Sequence, residues 1–235
     1  MKRRVVFLSI IILLLAGGLL SADKLHKMYI KSQLEPEIEL QEAIKNMQAL
    51  KSYRYDIKSG FTIEQREEVI SEVSGEKDAG KTHIKGEMVK TEIDIYYLDR
   101  TIYNYDSLSD KWLVIESSTS GPEELLISEL NPLSNFIFKQ IDTVEKVGFE
   151  EVDGVDCLVI EHQSEIESKL LETLWKSFEY KMWIDYQDRM VRKAVLTAAN
   201  KQSPSTVLKI EAKFYDFNKE IPIEPPDTTA KKNHK

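Results

Sequence analysis

Along most of the chain, apolar and polar residues alternate at every second position, the period of a strand with one buried face. In SYRYDIKSGFTIE, Tyr53, Tyr55, Ile57, Phe61 and Ile63 share one side. REEVISEVSGE is a weaker strand. THIKGEMVKTEI, DIYYLD, TIYNYDS and KWLVIESS follow, parted by short breaks at Asp99-Arg100 and Ser107–Asp110. Such breaks suit antiparallel neighbours; parallel crossovers need about a dozen residues or more. Strands resume at TVEKVGFEEVDGVDCLVIEHQ, where Asp153-Gly154 suits a tight hairpin turn. In FEYKMWIDYQDRMVRKAVLTAAN, Tyr180, Met182 and Ile184 alternate with Lys181, Trp183 and Asp185. After Gln187-Asp188 the alternation returns through Val191 and Val195. A last strand, STVLKIEAKFYDFN, sets Leu208, Ile210, Ala212 and Phe214 against Lys209, Glu211 and Lys213.

Three stretches carry the helical period instead. Pro36 opens the first, and Leu40, Ala43, Ile44, Met47 and Leu50 form its apolar stripe. In SGPEELLISEL, Ser120 is a natural N-cap, with Pro122, Glu123 and Glu124 in the first turn and Leu125, Leu126 and Leu130 on the apolar face. NPLSNFIFKQI, next to it, reads as a second short helix or an apolar loop. EIESKLLETLW reads as a helix of about two to three turns with Ile166, Leu170, Leu171 and Leu174 on one side. Helical segments are thus expected near 36–51, 121–138 and 165–176.

About ten strands with one dry face must cover that face, and a long twisted sheet curls. The fold class that results is α+β: a strongly curved antiparallel sheet, an unclosed barrel, with helices covering its concave side. The strand phase places Ile57, Phe61, Met88, Ile95 and Tyr97 on that side. Met182, Ile184, Leu208, Ile210 and Phe214 join them from the second half. Leu126, Leu130, Phe136 and Phe138 are expected to cover the hollow.

The N-terminus changes the picture from a free domain to an exported one. Residues 1–4 are a basic start, and Val5 to Ala22 is an uncharged apolar run long enough to span a bilayer or to serve as an export signal. The basic start places the N-terminus in the cytoplasm and the rest outside. An uncleaved single-pass anchor is favoured, because Leu20 is a poor residue three places before a cut after Ala22. Residues 23–34 read as a linker or stalk, 35–226 as one domain, and 227–235 as a disordered tail. The formal charge of -8 argues against a nucleic-acid partner. Cys157, the sole cysteine, sits in an apolar run and reads as a buried free thiol.

One motif needs a decision. Gly75 to Thr82 fits the phosphate loop of nucleotide hydrolases, G-x-x-x-x-G-K-[ST]. That loop works only where a helix follows at once, aiming backbone N–H groups at phosphates. Here the following residues alternate with a period of two, and Glu76 and Asp78 would repel a polyphosphate. The stretch is therefore expected to be a hairpin turn, with no nucleotide as partner. Of the four histidines, His83 and His162 are expected on polar strand faces. No nucleophile elbow and no metal-ligand spacing occurs, so no catalytic residue, metal or cofactor is expected. The strand aromatics, among them Tyr96, Tyr103, Trp112 and Trp183, could form a sugar or lipid platform, or simply follow strand preference.

The order of elements resembles the bacterial lipoprotein-carrier superfamily, in its LolA-like and mycobacterial LppX/LprG-like forms. The resemblance runs over about 36–226 and rests on LQEAIKNMQALKSYRYDI, YYLDRTIYNYD with KWLVIE, YKMWIDYQDRMVRKAVL and AKFYDFNKEIPIEPP. It implies an unclosed barrel that shelters the acyl chains of lipids or lipoproteins. The same fold with a filled core would instead serve as an envelope sensor or assembly factor, and the sequence leaves both open. Many relatives are free periplasmic proteins or are lipid-anchored through a cysteine. This chain has no cysteine near its apolar run, so the expected location is the cell membrane, held by the helix itself, with the membrane as a partner through residues 5–22; that absence leaves the type of envelope open, with a Gram-positive one favoured.

Overall fold

Tight turns between alternating segments leave the backbone one economical arrangement, a meander, and the structure shows two of them side by side. It is a computed structural model that describes residues 24–64, 66–116, 132–136, 138–166 and 168–228. The first meander holds β1 (Ser52–Ile63), β2 (Arg66–Asp78), β3 (Lys81–Met88), β4 (Thr91–Leu98), β5 (Thr101–Asp106) and β6 (Lys111–Glu116). The second holds β7 (Phe138–Val152), β8 (Val155–Ile166), β9 (Trp175–Asp185), β10 (Met190–Asn200) and β11 (Thr206–Tyr215). All eleven strands form one antiparallel sheet in the order β6-β5-β4-β3-β2-β1-β11-β10-β9-β8-β7. The first and last strands therefore meet at its middle, Tyr55 opposite Phe214 and Ile57 opposite Ala212. Strands β6 and β7 are its two edges, so the sheet is not closed.

Helices are few. Residues 24–33 form α1, α2 is Pro36–Gln48 and α3 is Lys169–Leu174; Pro132–Phe136 is a 3-10 turn. The stretch read as a stalk is thus helical. The third helix is shorter than its apolar spacing suggests. Strand β8 runs through the buried Ile166, opposite Phe138, and the Ser168 hydroxyl then caps α3 by accepting from the Leu171 N–H at 3.4 Å. The helix expected from Ser120 onward lies outside the described residues. So does the segment Val5–Ala22; among the described residues no helix is long and apolar enough to cross a membrane.

Among the described residues four hairpins turn on two residues that both have positive φ, the primed geometry matched to strand twist. Asp153-Gly154 (48° and 83°) is the one the sequence announces. Asp99-Arg100 (47° and 66°) matches the expected break. Val89-Lys90 (52° and 62°) corrects the reading of THIKGEMVKTEI as one strand; a branched, solvent-facing valine is an uncommon turn residue and gives no warning.

The fourth is Ala79-Gly80 (45° and 94°), inside the apparent phosphate loop. It joins β2 to β3 with no helix, as expected. Both motif glycines have structural reasons. Gly80 supplies the left-handed turn, and a Cβ at Gly75 would lie 2.1 Å from Tyr55 Cζ, whose ring lies across the strand. Exposed Lys81→Ala is therefore expected to shift stability by no more than about 0.5 kcal/mol and to change no nucleotide affinity. Saturable ATP binding that vanishes in this variant would restore the phosphate loop.

The core is the face reached by cross-strand rows. One row runs Ile93, Gly86, Val73, Ile57, Ala212, Ala194, Met182, Ile160 across eight strands from β4 to β8. Its small central members leave room for α2, which packs on β7, β9 and β10. Leu40, Ala43 and Met47 of α2 are buried in the core; full burial of a Leu or Met side chain contributes roughly 1.5–3 kcal/mol.

Candidate functional site

The inner face is the surface the sequence pattern selects for binding, and the structure divides it in two. Over β1 and β8–β11 it is filled. Ile57, Met182, Ile184, Leu208, Ile210 and Phe214 are buried in one cluster with α2 and with Phe136 from the 3-10 turn. Phe61 and Phe138 pack against its rim, Phe61 stacked on Trp175 at 5.3 Å and Phe138 edge-on to Tyr180 at 4.7 Å. Leu126 and Leu130 lie outside the described residues.

Over β3–β6 the inner face is more open. Register places Met88, Ile93, Ile95, Tyr97, Ile102, Asn104, Leu113 and Ile115 on it. Ile95 and Ile102 are buried, whereas Met88, Ile93 and Tyr97 are partly exposed. Leu113 and Ile115, on edge strand β6, are 48% and 38% exposed. The expected residues Met88, Ile95 and Tyr97 thus belong to this half and the other described ones to the filled half. Leu113 and Ile115 were passed over in the selection above, although KWLVIE carries the same alternation that placed Ile95 and Tyr97.

Polar chemistry inside the sheet centres on His162, and here the expectation of a polar-face histidine is corrected. His162 pairs with Tyr180 and Val144 on the apolar side and is buried. The four residues before Glu161, CLVI, are apolar on both faces, and Asp156, of the same parity as His162, gives the wrong sign to the alternation. The ring stacks on Tyr180 (4.9 Å, 8°) and receives the edge of Phe138 (4.8 Å, 86°). Its Nδ1 lies 2.8 Å from Ser164 Oγ, and Nε2 has no hydrogen-bond partner among the described residues. Burial pushes its pKa down to about 4, so the imidazole is neutral at neutral pH. The Tyr55 and Tyr180 hydroxyls are likewise buried without a partner, and burial holds both far above the ordinary phenol range.

The outer face is polar and internally paired. His83 lies there as expected, though buried, with Nε2 3.0 Å from Asp94 Oδ1, Nδ1 3.5 Å from Glu76 Oε1, and its ring stacked on Tyr96 at 3.8 Å. Arg54 joins Glu76 and Asp216 at 3.0 and 2.8 Å. His83, Asp94 and Tyr96 border a recess of about 820 Å³ lined also by Asp56, Lys58, Glu72 and Lys85, a lining too charged for an acyl chain. Ile221 and Ile223 of the C-terminal segment close a small cluster with Leu98 on this face. Cys157 is buried beside Val159 and Trp183, and its thiol is pushed up to about 12, chiefly by burial. Among the described residues no group of three or more His, Cys, Asp or Glu is placed to hold a metal ion.

No protein-family model and no curated protein sequence matches the chain. Solved structures do. The lipoprotein LppX of Mycobacterium tuberculosis superposes with a TM-score of 0.55 at 15% identity, over 80% of this chain and 97% of its own. LprF of Mycobacterium bovis superposes with a TM-score of 0.56 at 12% identity, over 82% and 98%. At such identities the likeness shows the fold: an unclosed antiparallel barrel of the LppX-like kind.

Proposed function

We propose that this chain is an envelope protein, held at the membrane by residues 5–22, that shelters lipid or lipoprotein acyl chains on the inner face of β3–β6. The carrying observation is the exposure of Leu113 and Ile115 on the concave-side register, in line with Ile93, Ile95 and Tyr97. A soluble sheet seldom leaves such a strip on its inner face without something to cover it. An acyl chain is a fitting cover, because it satisfies apolar surface without asking for hydrogen bonds. The shared fold with a lipoprotein, LppX, and the apolar N-terminal run support an envelope setting. The second reading, an interaction protein with a solid core, draws on the filled half under α2.

Full-length protein in vesicles doped with a photoactivatable fatty-acyl phospholipid separates the two. Cross-links are expected on peptides of β4–β6 as well as on the N-terminal segment. Leu113→Asp with Ile115→Asp is expected to reduce the sheet cross-links at least about fivefold, the equivalent of roughly 1 kcal/mol of lost apolar contact. Cross-links confined to the N-terminal segment would favour the solid-core protein.

A further inference from the structure

Helix α1 carries two apolar faces, and among the described residues only one of them has a partner. Ile30, with Leu34 just beyond the helix, packs against the core. Beside them Lys31 pairs with Asp156 at 2.5 Å and lies 4.3 Å over the Phe149 ring, and Lys146 Nζ donates to the Lys31 carbonyl at 2.7 Å. The helix is thereby fastened to β7 and β8. Leu25, Met28 and Tyr29 have the i, i+3, i+4 spacing of a single stripe. At about 100° per residue that stripe points away from Ile30. All three are 64–65% exposed, and exposed Lys24 flanks them next to Met28.

We infer that this outward stripe is a bilayer-contact face, seating the domain directly on the membrane surface, with the acidic headgroups of lipids drawn to Lys24. The inference rests on the reading of residues 5–22 as a membrane segment. Chain length supports it: Leu25 is three residues past Ala22, so it lies within roughly 10 Å of the end of that segment. That distance keeps it in or beside the polar layer of a bilayer, where an apolar stripe with a flanking lysine and a tyrosine is stabilised. Because α1 is pinned to β7 and β8 on its other side, whatever holds the stripe also holds the domain. The domain is then seated and does not hang from a flexible tether.

Site-specific depth measurement on the full chain tests this. Met28→Cys, and separately Leu25→Cys, are labelled with an environment-sensitive fluorophore; Cys157 is buried and wild-type protein serves as the blank. The protein is reconstituted in phosphatidylcholine–phosphatidylglycerol vesicles with and without a headgroup-proximal doxyl lipid. Gln202→Cys, in an exposed turn, is the comparison. The labels at 25 and 28 are expected to emit to the blue and to be quenched at least about twofold more than the label at 202. Water-like, unquenched emission in vesicles that carry the protein on flotation would overturn the seating while leaving the anchor intact. Blue emission without lipid quenching would show a protein surface, such as a second copy, on the stripe and overturn it equally. Protein that fails to float with vesicles would remove the membrane segment and the seating together.

Discussion

Replacing Ile184 by alanine is expected to lower the stability of the domain by about 2–5 kcal/mol, whereas Ile115→Ala is expected to shift it by no more than about 0.5 kcal/mol. Both residues are strand isoleucines on the inner face. Ile184 is fully buried between Leu158 and Val191 on the neighbouring strands, so truncation leaves a cavity that the packed half cannot close. Ile115 is 38% exposed on an edge strand and loses fewer contacts. Urea denaturation of the two variants beside wild type measures the difference. Similar losses at both positions would mean that the β6 end is as solidly filled as the β9 end, which would remove the ground for an acyl-chain site there.

This asymmetry explains how far the sequence could be read. Alternation alone placed Tyr180, Met182 and Ile184 on one face and Lys181, Trp183 and Asp185 on the other, because lysine and aspartate mark the wet side without ambiguity. It could not separate Ile184 from Ile115, since period two reports a face and carries no information on what lies above it. What lies above is set by α2, whose contacts with β7, β9 and β10 join residues far apart in the chain. His162 was misplaced for a related reason. Around Cys157 and Val159, with their own outer cluster around Trp183, the run is apolar on both faces, and the polar residues at its ends disagree: Asp156 shares the parity of His162, while exposed Glu161 and Gln163 have the other. The turn at Val89-Lys90 carried no Gly, Asn or Asp to announce it. By contrast, the apparent phosphate loop was settled by the strand pattern after it.

His162 is also the source of the second large effect. Its pKa is about 4 in the native protein against roughly 6.5 in an unfolded chain. Between those values the unfolded chain holds a proton that the native protein refuses. Stability is therefore full above about pH 6.5, falls as the pH drops toward 4, and levels off below it, with a total loss of about 3 kcal/mol. His162→Phe retains an aromatic ring against Tyr180 and removes the titration. Denaturation midpoints at pH 7 and pH 4.5 are expected to draw apart in wild type and to converge in the variant. An equal acid loss in both proteins would assign the sensitivity to other groups.

The seam between β1 and β11 has a consequence for the order in which the molecule is made. Ile57 and its partner Ala212 are separated by most of the domain. Each meander can assemble from sequence neighbours, but the strand that joins them emerges last, whether from the ribosome or through an export channel. Until residues 206–215 arrive, β1 is a bare edge in what will become the centre of the sheet, with Tyr53, Tyr55 and Ile57 beside it. A chain stopped short of β11 would thus lose more than its last strand. It would be two half-sheets with an adhesive edge between them, and aggregation or proteolysis would be the fate of the fragment.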